Sequence, residues 1–77
     1  SAFRRAFHAA TGMSPAQYKV HVKIRKAQDL LAGTPEVSIA EIADILGFYD
    51  MSYFYKSFTA QVGKTPGQYR EEAQAAR

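Results

Sequence analysis

Residues 12–18 read GMSPAQY, and the same signal returns near the other end as GKTPGQY, residues 63–69. Sliding the chain against itself by 51 positions aligns SAFRRAFHAATGMSPAQYK with SYFYKSFTAQVGKTPGQYR without a gap. Eight of the nineteen pairs are identical: Ser1/Ser52, Phe3/Phe54, Phe7/Phe58, Ala9/Ala60, Gly12/Gly63, Pro15/Pro66, Gln17/Gln68 and Tyr18/Tyr69. A match that dense means two copies of one supersecondary unit. Any fold for the chain must therefore use the same local geometry twice.

Each copy decodes in the same way. Phe3 and Phe7, like Phe54 and Phe58, stand four residues apart on one helix face. Gly12 and Gly63 supply the left-handed residue that ends a helix. Ser14 or Thr65 follows as N-cap, with proline at the first helical position, where its missing N–H is not needed. Gln17 and Gln68 fall three residues after the cap and complete a capping box. The motif is helix stop, tight turn, helix start, and carries no chemistry of its own.

Between the copies the pattern predicts a long helix from Pro15 to about Ala32. Its apolar stripe is Tyr18, Val20, Ile24, Ala27 and Leu31, widened by Val22 and Leu30, with Lys19, Lys23 and Lys26 on the polar side. Gly33-Thr34-Pro35 ends it. Ser38 then caps a short helix with Glu41 as a third capping box, and Ile39, Ile42, Ala43 and Leu46 follow helical spacing. Gly47 closes that helix, and Phe48-Tyr49-Asp50 leads into the helix of the second copy. Nothing alternates with period two, so the expected fold is all-α.

The segment SIAEIADILGFYDMSYFYKSF has the layout of a helix-turn-helix, a pattern that ordinary helical hairpins also show. A small residue, Ala43, precedes the turn residue Gly47 by four, as a steep helix crossing requires. At about 100° per residue, Met51, Phe54, Phe58 and Val62 share the inner face of the second helix. Ser52, Lys56 and Thr59 point outward, with Tyr53 and Tyr55 on the flanks. In the first copy the same arithmetic buries Phe3 and Phe7 and presents Ser1, Arg5 and His8, with Arg4 on a flank. Such side chains suit a DNA groove: arginine takes guanine with two hydrogen bonds, while serine, threonine and tyrosine reach bases or phosphates. The competing reading for each is an ordinary solvated helix face.

Charge supports a polyanion partner. Up to Gln28 there are six cations (Arg4, Arg5, Lys19, Lys23, Arg25, Lys26) and no acid; from Asp29 onward seven acids meet four cations. A basic half beside an acidic half suits one face directed at a polyanion, and equally a solvated surface with uneven charge.

Taken together, these motifs resemble the C-terminal DNA-binding module of the AraC/XylS family of bacterial transcription regulators. The resemblance runs through SAFRRAFHAATGMSPAQY, the linker stretch AQDLL ending at Leu31, IAEIA over residues 39–43, Gly47-Phe48, SYFYKSF over residues 52–58 and GKTPGQYR ending at Arg70. It covers nearly the whole chain. It implies two helix-turn-helix units joined by a rigid helix, with both recognition helices in neighbouring major grooves on one side of the duplex. A linker of about eighteen residues spans roughly 27 Å, which with packing on each side matches one DNA turn, about 34 Å. On this reading residues 1–14 are the recognition-helix remnant of a first, incomplete helix-turn-helix, 15–33 the linker helix, and 34–77 a second helix-turn-helix with a closing C-terminal helix. The family often carries arginine where this chain has Lys23, which keeps the charge without the fork.

The chain opens on a serine and not a methionine, so a fragment or processed piece is expected, with the scaffold helices that the family places earlier lying upstream. Without their partner surface, Phe3 and Phe7 would favour self-association through the N-terminal end. There is no cysteine, consistent with a cytoplasmic, nucleoid-associated protein. No apolar run is long enough for a membrane span. His8 and His21 are isolated from each other and from acids, so neither an enzyme, a metal site nor a cofactor is expected. The alternative function is a helical protein-interaction module. Glu36, Glu41 and Asp44 would face a partner such as RNA polymerase, and Tyr49, Tyr53 and Tyr55 suit a protein interface.

Overall fold

The structure, a computed structural model, describes residues 2–76, and the side chains of these except Ala2, Phe3 and Phe7. The expected contact Ser1 and the expected core positions Phe3 and Phe7 thus lie outside the described side chains. Five α-helices and no strand make up the described residues: α1 (Ala2–Thr11), α2 (Pro15–Gly33), α3 (Ile39–Ile45), α4 (Met51–Val62) and α5 (Pro66–Ala75). The fold is all-α, with the long α2 joining a helix-turn-helix subdomain built on α3 and α4 to α1, the one described helix of an incomplete first subdomain.

The repeated turns form the same structure twice. Gly12 and Gly63 have φ of +74° and +87°, and their N–H groups donate to His8 O and Thr59 O at 2.7 and 2.8 Å. That single backward bond is the left-handed termination a glycine permits. Both capping boxes close. Ser14 Oγ accepts from Gln17 N at 3.2 Å and Gln17 Oε1 accepts from Ser14 N at 2.9 Å. Thr65 and Gln68 repeat this at 3.2 and 3.1 Å.

At α3 the third capping box closes only by half. Ser38 Oγ accepts from Glu41 N at 3.1 Å, but the Glu41 carboxylate meets the Ser38 hydroxyl at 3.4 Å instead of a backbone N–H. The corner after α3 is tighter than at the repeats. Gly47, at φ +86°, donates to Asp44 O and Phe48 donates to Ala43 O, the paired bonds of a Schellman motif. This turn swings Phe48 back into the core.

The core lies where α2, α3 and α4 meet. Ile24, Ala27, Leu31, Ile42, Ala43, Phe54 and Phe58 are fully buried, and Phe48 nearly so. Each large apolar side chain sealed there contributes about 1.5–3 kcal/mol. The Phe54 ring centroid lies 5.1 Å from that of Phe48 and 6.0 Å from that of Phe58. Two expected core residues are on the surface: Tyr18 is 41% exposed and Met51 39%. Helical arithmetic assigns them the right angle but not the right height. Met51 opens α4, and Tyr18 sits in the N-terminal half of α2, short of the residues that meet α3 and α4. Val22 and Val62 are half-buried.

The molecule is elongated, 44 × 26 × 17 Å. Its radius of gyration is 13.9 Å, against about 11.5 Å for a compact chain of this length. The excess comes from α1 and the first half of α2, which extend beyond the core; every described side chain of α1 is exposed.

Candidate nucleic-acid interface

The α4 helix is held rigidly from behind. Phe54 and Phe58 anchor its inner face, and Asp50 caps its start by accepting from Ser52 N at 2.9 Å. Ser52, Tyr53, Tyr55, Lys56 and Thr59 are all exposed, as the sequence placed them. Tyr55, Lys56, Thr59 and Ala60 line one shallow depression with no acid in its rim, and Lys56 has no ion-pair partner among the described residues.

The two flanking tyrosines differ. Tyr55 shares the depression with Lys56, whereas Tyr53 leans the other way, 50% exposed, with its ring centroid 6.0 Å from that of Phe48. A half-supported aromatic ring keeps its orientation while leaving its hydroxyl in solvent. On α1, Arg4, Arg5 and His8 are exposed, so both sets of expected contacts stand on helix surfaces, Ser1 apart.

Three positioning contacts were invisible to motif reading. Lys23 Nζ lies 5.4 Å from the centre of the Phe48 ring and close to the Gly47 backbone, 3.5 Å from where a Cβ would sit. This cation on an aromatic face, worth about 0.5–1 kcal/mol, clamps the turn to the linker. Gln61 Nε2 donates to His21 O at 3.1 Å, tying the end of α4 to α2. Arg70 donates from Nε to Leu31 O and from a terminal nitrogen to Thr34 O, at 3.1 and 3.2 Å. A guanidinium there satisfies carbonyls that a helix C-terminus leaves open and opposes its partial negative charge. GKTPGQYR contains Arg70, but nothing in a linear motif says where its fork lands.

Among the described residues no three potential metal ligands gather, and no helix is long and apolar enough to cross a membrane.

Comparison with known proteins agrees with this geometry. A helix-turn-helix domain family matches residues 1–72. The HTH-type transcriptional activator RhaR of Salmonella arizonae is 45% identical over 67 residues, which is 87% of this chain and 23% of that protein. The HTH-type transcriptional regulator MtrA of Neisseria gonorrhoeae is 38% identical over 68 residues, 88% of this chain and 22% of MtrA. The Msm operon regulatory protein of Streptococcus mutans is 37% identical over 70 residues, 91% of this chain and 25% of its own length. The chain thus spans about a quarter of the length of these relatives, which are named as regulators and not as enzymes. No solved structure gives a significant match. The chain belongs to the AraC-type family of helix-turn-helix transcription regulators and carries that family's sequence-specific DNA-binding region.

Proposed function

We propose that the chain reads two neighbouring major-groove segments on one face of a duplex, one with α1 and one with α4. Ser1, Arg4, Arg5 and His8 form the first reading surface; Ser52, Tyr53, Tyr55, Lys56 and Thr59 form the second. Residues 1–14, 15–33 and 34–77 act as first reader, spacer and second reader. The 19 residues of α2 give about 28 Å of rigid separation. The observation that carries this reading is the two-sided character of α4: phenylalanines fully buried behind, polar and cationic side chains exposed in front.

The test is duplex binding by Arg5→Ala and Lys56→Ala in the complete regulator. Each substitution should weaken binding to the preferred sequence by about 1–3 kcal/mol and relax preference at the base it reads. Equal weakening on every duplex would reassign that residue to the phosphate backbone.

A cytoplasmic location follows from this role. A contact with RNA polymerase is a second reading, favoured by exposed Glu41 and Asp44 on α3 beside Ile45, which is 65% exposed. Self-association through the N-terminal end is the third, favoured by exposed Tyr18. Sedimentation alone and with polymerase distinguishes the two.

A further inference from the structure

The linker helix carries a feature that meets the second reading surface at Tyr53 but is otherwise outside both. An open cleft runs between the first half of α2 and the near flank of α4, lined by Gln17, Val20, His21, Ser57 and Gln61 among others. It continues past the bond from Gln61 to His21 into a second hollow, where His21 and Gln61 are joined by Arg25 and Gln28. The two hollows share two residues and form one furrow.

Three properties give the furrow a partner. First, no acid lines either part, although the chain has seven acids and the hollow beside α5 is lined by Glu71 and Glu72. Second, Gln17, His21, Arg25 and Gln28 recur at steps of four, four and three, so one edge of α2 presents a continuous row of hydrogen-bond donors. Third, the furrow adjoins the α4 reading surface: Ala60 borders both it and the depression holding Lys56. The first hollow has an apolar floor of Met13, Ala16 and Val20, but its α2 edge is a row of donors without an acid in the lining, and such an edge beside a DNA-reading helix matches a sugar–phosphate backbone.

We propose that α2 is a third DNA contact, in which Arg25 and His21, with the amides of Gln17 and Gln28, hold the phosphates of the duplex between the two reading helices. This rests on the two-helix reading above and assigns the spacer a binding role. The contact carries no base information. It fixes the register of the two readers and adds to the electrostatic part of the affinity.

Arg25 and Lys19 provide a matched test. Both are exposed cations on α2, but at about 100° per residue Lys19 falls on the side opposite the furrow. Duplex affinity of the complete regulator is measured across a salt series, on its preferred sequence and on a scrambled one. Arg25→Gln should lower the slope of log affinity against log salt by about one, equally on both duplexes, and Arg25→Lys should restore it. Lys19→Gln should leave the slope unchanged, and thermal melts should match the parent for all three. An unchanged slope for Arg25→Gln, or the same loss for Lys19→Gln, overturns the proposal while the parent's own salt-dependent binding keeps the two-helix reading standing. A parent without salt-dependent duplex binding overturns both.

Discussion

Residues 12–18 and 63–69 share one backbone and live in different surroundings. Glycine angles, capping boxes and backward hydrogen bonds agree closely between the copies. The side chains that follow do not. Tyr69 packs edge-on against Phe58, with ring centroids 5.8 Å apart, and Pro66 is buried. Its counterpart Tyr18 is 41% exposed, with its ring centroid 6.2 Å from that of His21. Arg70 reaches across to two carbonyls of the α2 terminus, whereas its counterpart Lys19 stands in solvent. A short motif thus fixes how the chain turns, while tertiary contacts decide how much stability each turn contributes.

The sharpest way to break that comparison is to truncate both tyrosines. Tyr69→Ala should cost about 2–3 kcal/mol by loss of its half-buried ring packing against the core, and Tyr18→Ala less than about 1 kcal/mol as a surface change. Urea denaturation followed by circular dichroism reads both. Equal costs would mean that the first turn is as firmly packed as the second.

Glycine substitutions probe the part that the copies share. Gly12→Ala and Gly63→Ala each force a Cβ into left-handed backbone, at about 1–2 kcal/mol. Among the described residues no neighbour lies within 4 Å of either added Cβ, so the cost is conformational and should be similar at the two sites. A cost confined to Gly63 would show that α1 and the start of α2 melt apart from the core. Smallest are the caps. Ser14→Ala and Thr65→Ala should each lose about 1 kcal/mol, detected as lower melting temperatures. A cap whose removal changes nothing would mean that water replaces the hydroxyl there.

Much of this was legible in the sequence because it is local. Caps, glycine terminations and the inward pair Phe54 and Phe58 depend on neighbours within a few residues, so spacing reveals them. Lys23 on Phe48, Gln61 on His21 and Arg70 on the α2 terminus join residues 25 to 40 positions apart, where spacing is silent. Met51 and Tyr18 mark the same boundary from the other side. Periodicity gives the face of a helix, not where along it the packing stops. The exposed faces proposed as reading surfaces are legible in sequence because they are the complement of a core face; the furrow of α2 is not, since it exists only once α4 lies beside it.

The central claim is that two helices at a fixed separation read one face of DNA. It is tested most directly by changing the spacing of the two half-sites within the duplex the complete regulator selects. Inserting five base pairs puts the second half-site on the opposite face of the duplex, since a turn is about 10–10.5 base pairs. With α2 as a rigid spacer, specific affinity should fall to that of a duplex carrying a single half-site. Affinity retained through that insertion would contradict the account.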